Sequence, residues 1–171
     1  MRRLTNGQAG ALFLAAYICS IAVANWATNT FGLVWFFGLA VTAGTLFAGA
    51  ALVLRDGVQV KLGKRYVIAA ILAGAALSYV TSSAALAVAS GIAFLTSELV
   101  DFGVFTPLRG KHLPTAVLVS SVVAAPIDTV LFLYLAGFGV TWSAVVGQFI
   151  VKTALAGIVA WRLSCSTSRA A

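Results

Sequence analysis

The chain has 171 residues, 61% of them hydrophobic and only 9% charged, with a mean hydropathy of +1.05. A soluble domain carries charge on about a quarter of its residues, so this composition excludes a water-dissolved globular protein and makes the bilayer the expected solvent. The formal charge of +7 would suit a nucleic-acid binder, but the bases lie in short clusters between apolar blocks and not along one polar helix face, so nucleic acid is not an expected partner.

From Leu4 to Leu54 there is no acid or base at all, and a second uncharged run extends from Tyr66 to Ser97. A span needs roughly 20 apolar residues to cross ~30 Å of hydrocarbon, so the first run holds two helices and the second, extended to Phe105, two more. In chain order the apolar blocks predict six transmembrane helices at Ala9 to Ala27, Gly38 to Leu54, Tyr66 to Thr81, Ala84 to Phe105, Thr115 to Ala136 and Thr141 to Leu163. Turn-forming residues separate them at Asn29 to Gly32, Thr81 to Ser83, Pro107 to Pro114 and Gly137 to Gly139. No linker is long enough to divide domains, so the expected architecture is all-α, one six-helix membrane bundle over residues 1–171. Arg2 and Arg3 before the first block resemble a signal-peptide start, but with further spans following, the first helix is expected to be uncleaved.

The bases test this layout independently. Arg2 and Arg3, then Arg55, Lys61, Lys64 and Arg65, then Arg109 and Lys111, then Arg162 and Arg169 all fall at alternate ends of successive helices. Short cytoplasmic loops collect Lys and Arg, so both termini are expected in the cytoplasm of a multi-pass protein of the cell membrane. Cys19 and Cys165 have neither disulfide nor ligand spacing and are expected to be free thiols. In the fourth helix Ala85, Ala89, Ala93, Ser97 and Asp101 recur every fourth residue and mark one face, suited to close helix packing. A homo-oligomer is compatible with such small-residue faces.

The charges inside the spans carry the functional signal. Of four acids, Glu98 and Asp101 lie in the fourth helix and Asp128 in the fifth, while Lys152 lies near the middle of the sixth. Insertion scales charge ~2.5–3.5 kcal/mol for such a residue at a helix centre, so these groups should face a protein interior or a wet cavity. Glu98 and Asp101 are neighbours on one helical face with Ser97, Ser90 and Phe94 nearby, Lys152 shares a face with Gln148, and Pro126 should free the Val122 carbonyl beside Asp128. The plainer alternative makes Lys152 a structural counter-ion and puts Glu98 and Asp101 toward the cytoplasmic interface. Arg55 and Asp56, at the end of the second helix, could pair locally.

Enzyme chemistry has little support. His112 is the single histidine and sits in a basic loop, His and Cys do not cluster as metal ligands, and Gly57 to Lys64 ends in Arg65 where a phosphate loop needs Ser or Thr. No enzyme activity and no cofactor are expected.

From the fourth helix onward the sequence resembles the queuosine-precursor transporter family, also called the vitamin uptake transporter or VUT family. The carrying residues are Ser90 through Asp101 (SGIAFLTSELVD), Val104 and Phe105, Leu108 and Arg109, Ser120 and Ser121, Ile127 to Thr129 with Phe132, and Lys152; weaker matches are Asn25 and Arg55-Asp56 before Gly63. The resemblance implies uptake of 7-cyano-7-deazaguanine or its aminomethyl relative across the cytoplasmic membrane. A carboxylate can accept two N–H groups from the edge of such a base. The expected arrangement has Glu98 or Asp128 on the base edge, Asp101 and Lys152 balancing charge, Ser97, Asn25 and Gln148 adding hydrogen bonds, and Phe94 and Phe132 among the aromatic walls. The alternative is a binding subunit of an ATP-driven energy-coupling-factor importer, with Ala11 and Ala15 as a docking pair on the first helix.

Overall fold

The structure is a computed structural model that describes residues 5–81 and 83–168, with the side chains of Ala75, Ser78, Thr81 and residues 166–168 left aside. Arg2, Arg3 and Arg169 lie outside the described residues. Six helices and one β-hairpin follow in the order α1 (Asn6–Phe31), β1 (Leu33–Phe36), β2 (Leu39–Thr42), α2 (Thr45–Lys61), α3 (Lys64–Thr81), α4 (Ala84–Leu108), α5 (Leu113–Leu135) and α6 (Trp142–Ser168).

Local chemistry sets the boundaries. Thr5 and Gln8 form a reciprocal capping box at the start of α1, and the Ser83 hydroxyl accepts from the Leu86 N–H at the start of α4. His112 caps α5, its ring accepting from the Thr115 N–H, with Pro114 in the first turn where no N–H is missed. Gly63, at a φ of 94°, takes the left-handed conformation that ends α2 and lets α3 begin one residue later.

Four helices, α1, α4, α5 and α6, are long and apolar enough to cross a membrane among the described residues. The shorter α2, at about 26 Å of rise, and α3 pack beside them. α4 packs extensively on α5, α1 on α2, and α5 on α6. On α4 the small-residue face is buried from Ala89 through Ala93 and Ser97 to Asp101, while Ala85, nearest the helix start, is exposed.

The expected helix from Gly38 is corrected by the structure. Residues up to Thr42 belong to a hairpin pairing Leu33 with Thr42 and Phe36 with Leu39, and α2 starts only at Thr45. Phe37 and Gly38 both have positive φ, 50° and 77°, the pair of conformations that a two-residue hairpin turn requires and a helix forbids. β1 is exposed, whereas Ala40, Val41 and Thr42 of β2 are buried against α6. The Ala40 N–H donates to the Ser143 hydroxyl, and a Cβ at Gly147 would crowd the Ala40 carbonyl oxygen and Val41. Gly147→Leu should therefore lift β2 off α6 and cost about 1–3 kcal/mol, read as a lower thermal midpoint in detergent; an unchanged midpoint would show that this seat is not needed.

The two ends of the bundle differ chemically. At the hairpin end Trp26, Phe31, Trp35, Phe37, Tyr79, Tyr134 and Trp142 are exposed, as in the aromatic belts found where protein meets the membrane–water boundary. The opposite end gathers the basic turns: Lys61 Nζ donates to Asn6 Oδ1 at 3.2 Å and Arg109 to the Gln59 carbonyl at 3.1 Å. Cys19 and Cys165 are free and exposed.

Candidate functional site

Inside the bundle, toward the hairpin end, α1, β2, α2, α4, α5 and α6 enclose a cavity of about 50 Å³. Small residues open the space: Ala24 of α1, Gly44 just before α2, and Ala48 and Ala51 of α2 line it. A Cβ at Gly44 would meet the Ala24 carbonyl and the Thr28 hydroxyl, so glycine lets the start of α2 seat on α1. The Gly44 N–H donates to Thr28 Oγ1 at 3.1 Å, and the Thr42 and Thr45 hydroxyls share a hydrogen bond of 2.8 Å. Strand β2 and the side-chain-uncapped N-terminus of α2 thus form one wall. Non-helical backbone at membrane depth is tolerated where it is buried in protein or lines a cavity, and here it does both.

The opposite walls carry the charge. Lys152 Nζ donates to Asp128 Oδ2 at 2.6 Å and to Thr129 Oγ1 at 2.9 Å, and Ser97 Oγ donates to Asp128 Oδ1 at 3.2 Å. Gly49 lets α2 approach α6 beside Lys152, where a Cβ would come to 3.0 Å from the Lys152 Cα. Ser90 Oγ donates to Asn25 Oδ1 at 2.6 Å. Gln148 is buried and its side-chain nitrogen has no hydrogen-bond partner among the described residues. Phe94 and Phe132 add aromatic wall. Asn25, Ser97, Asp128, Gln148, Lys152, Phe94 and Phe132, scattered over four helices, therefore meet at one cavity.

Glu98 and Asp101 go elsewhere, and neither lines that cavity. One helical turn toward the basic end, the guanidinium of Arg55 gathers them: Nε donates to Glu98 Oε2 at 2.9 Å, an NH2 contact pairs with Asp101, and NH1 lies 3.0 Å from Asp56 Oδ1. NH1 also donates to Gln59 Oε1 at 3.0 Å, and the guanidinium stands 5.5 Å from the centre of the Phe105 ring. All four ionisable side chains are essentially inaccessible. The expected single chamber for every intramembrane charge is corrected to two sites, one at the cavity and one gathered around Arg55. Both Glu98 and Asp101 are fully buried inside the bundle.

Arg55 as the hub was not foreseen, because the second helix was expected to stop at Leu54 and leave Arg55 and Asp56 at its exposed end. The helix in fact continues to Lys61, which carries both residues into the bundle. Their signal was available in the spacing of Arg55 and Gln59, one turn apart on one face. Thr42 and Gly44 were missed with the hairpin, and Thr129 as a second acceptor for Lys152.

Four helices long and apolar enough to span a membrane, packed around a cavity that an ion pair lines, define a helical integral membrane protein. The chain matches the family model described as "Putative vitamin uptake transporter" over residues 8–165, and it belongs to that family. Searches of curated proteins and of solved structures find no match to it.

Proposed function

We propose that this chain takes up a queuosine precursor, 7-cyano-7-deazaguanine or 7-aminomethyl-7-deazaguanine, across the cytoplasmic membrane through the Asp128–Lys152 cavity. The observation that carries the reading is the Asp128 carboxylate, held between Ser97 and Lys152 at the cavity wall, with Gln148 nearby lacking a partner. A guanine-like edge offers adjacent N–H donors to Asp128, and its exocyclic carbonyl oxygen suits Lys152 or Gln148 as donors. Phe94 and Phe132 supply apolar contact for the ring faces. Glu98 and Asp101, engaged by Arg55, are not base ligands in this reading.

Drug-sized ligands occupy pockets of ~300–1,000 Å³, so a cavity of about 50 Å³ must widen before a bicyclic base can enter it. The wall formed by β2 and the start of α2 is the natural moving part, because it is joined through a hairpin rather than a continuous span. Restoration of queuosine in cells that cannot make the precursor, together with uptake of labelled 7-cyano-7-deazaguanine, tests the function. No uptake at any concentration, with the chain inserted in the membrane, would reject it.

In the membrane the basic end faces the cytoplasm, following the bias of Lys and Arg, and all six helices cross. Reporter tags at either terminus should be protected from externally added protease in intact cells. Cleavage of a terminal tag from outside would overturn that orientation.

One observation favours a second reading. Ala11 and Ala15 form an exposed small-residue pair on α1, a surface where another membrane subunit could approach closely. The chain would then bind the base and depend on an ATP-driven partner, as in energy-coupling-factor importers. Uptake by the purified chain alone in liposomes separates the two, since a bare binding subunit moves nothing.

A further inference from the structure

Arg55 presents one positive charge to three buried carboxylates, Asp56, Glu98 and Asp101, so full ionisation would leave two negative charges in excess. Taking an uncompensated charge out of water is expensive, and a carboxylate without a counter-charge responds by binding a proton. Glu98 Oε1, Asp56 Oδ2 and Asp101 Oδ1 have no hydrogen-bond partner among the described residues, so oxygens are available to carry one. An independent group points to the same place. The Tyr17 hydroxyl of α1 is fully buried, has no partner among the described residues, and lies within electrostatic reach of Glu98, Arg55 and Asp56.

The cluster also stands between two spaces. On one side Glu98 follows Ser97, whose hydroxyl holds Asp128 at the central cavity. On the other, Asp56 borders a second, mostly apolar cavity of about 230 Å³ near the basic end, with Lys61 at its edge. The charged and titratable groups facing the cluster are thus Tyr17 from α1, Arg55 and Asp56 from α2, Glu98 and Asp101 from α4, and, through the central cavity, Asp128 and Lys152. The α3 side contributes buried Val67 and Ile71, and Lys64 at its start lies 6.0 Å from the centre of the Phe102 ring, next to Asp101 in α4.

We propose that the Arg55–Asp56–Glu98–Asp101 cluster is a proton-carrying site that couples the transmembrane proton gradient to movement of the base. It rests on the transport reading above. A hydronium ion on the central-cavity side breaks one O–H bond and leaves as water, and its proton forms an O–H bond with a carboxylate oxygen of Glu98 or Asp101, beside Ser97 at the cavity wall. In the alternate conformation that O–H bond breaks, and the proton passes by way of Asp56 to water on the basic side, restoring the carboxylate. Asp128 senses the change because a negative charge at Glu98 repels it across Ser97.

The test uses the purified full chain in liposomes, with labelled 7-cyano-7-deazaguanine and an imposed gradient of either protons or sodium ions. One proton per base and a gradient of one pH unit should give about tenfold accumulation at steady state, abolished by a protonophore. Glu98→Gln and Asp101→Asn should each keep exchange of labelled for unlabelled base but lose the accumulation. Accumulation driven by sodium ions instead, or unchanged in both variants, would overturn the proposal. A ligand-free infrared titration of the same protein decides it separately from the substrate. A carboxylic-acid C=O band present at neutral pH and lost in Glu98→Gln or Asp101→Asn supports a bound proton even if the base is not carried. Absence of such a band in the wild type overturns it even if the base is.

Discussion

Asp128→Asn should lower uptake of the deazaguanine base by at least about 30-fold, because truncating one member of a buried, hydrogen-bonded charge pair costs ~2–5 kcal/mol. The side chain keeps its shape and still accepts from Ser97, so loss of activity would report the charge and not the fold. Two effects follow from the same substitution. The base loses a charged acceptor for its N–H edge, and Lys152, 2% exposed, is left with only the Thr129 hydroxyl. The second effect also lowers stability, which the paired variant isolates. Asp128→Asn combined with Lys152→Met should recover most of the thermal midpoint lost by Asp128→Asn alone, while uptake stays absent. Normal uptake by Asp128→Asn would remove this carboxylate from the site, and full recovery of uptake in the pair would show that the ion pair serves only the fold.

Arg55→Met should produce the largest loss of stability of any single substitution considered. The guanidinium is fully buried and touches three carboxylates and Gln59, so its removal leaves like charges facing one another with no counter-ion. Breaking a buried pair by deleting one partner costs about 3–5 kcal/mol, and here three contacts are lost at once. In a chain of this size that corresponds to a fall in thermal midpoint on the order of 10 °C. The control removes the charges together. Arg55→Met with Glu98→Gln and Asp101→Asn should regain much of the loss, because a neutral polar cluster no longer carries uncompensated charge. Equal instability of the single and triple variants would mean that the shape of the arginine, packed against Phe105, matters more than its charge.

The two sites differ in what they can do because they differ in access. Asp128 and Lys152 border open volume, so a solute can replace part of their mutual hydrogen bonding. The Arg55 cluster does not line that volume, and only Asp56 borders a second, mostly apolar cavity toward the basic end. Their separation along α4 is a single residue, Ser97 to Glu98. A helix advances 100° per residue, so adjacent side chains look into different compartments, and one helix serves both.

Much of this was legible in the chain itself. Long uncharged runs determined a membrane-embedded helical protein, since the bilayer admits only segments that satisfy their own backbone hydrogen bonds, and the intramembrane positions of Asp128 and Lys152 pointed both toward the bundle interior because lipid cannot solvate them. Only the tertiary structure decided the rest. The hairpin was hidden because Leu33 to Thr42 is as apolar as a helix, and the left-handed pair Phe37-Gly38, not composition, turned it back on itself. The choice of Arg55 as counter-ion for Glu98 and Asp101 was hidden because those residues are 43 and 46 positions away in the chain, and α2 runs about two turns past its expected end, to Lys61, which carries the arginine into the bundle. Charge burial can be inferred from a run of neighbours, but which charge meets which depends on helix ends and crossing geometry, and those are set by packing between segments distant in sequence.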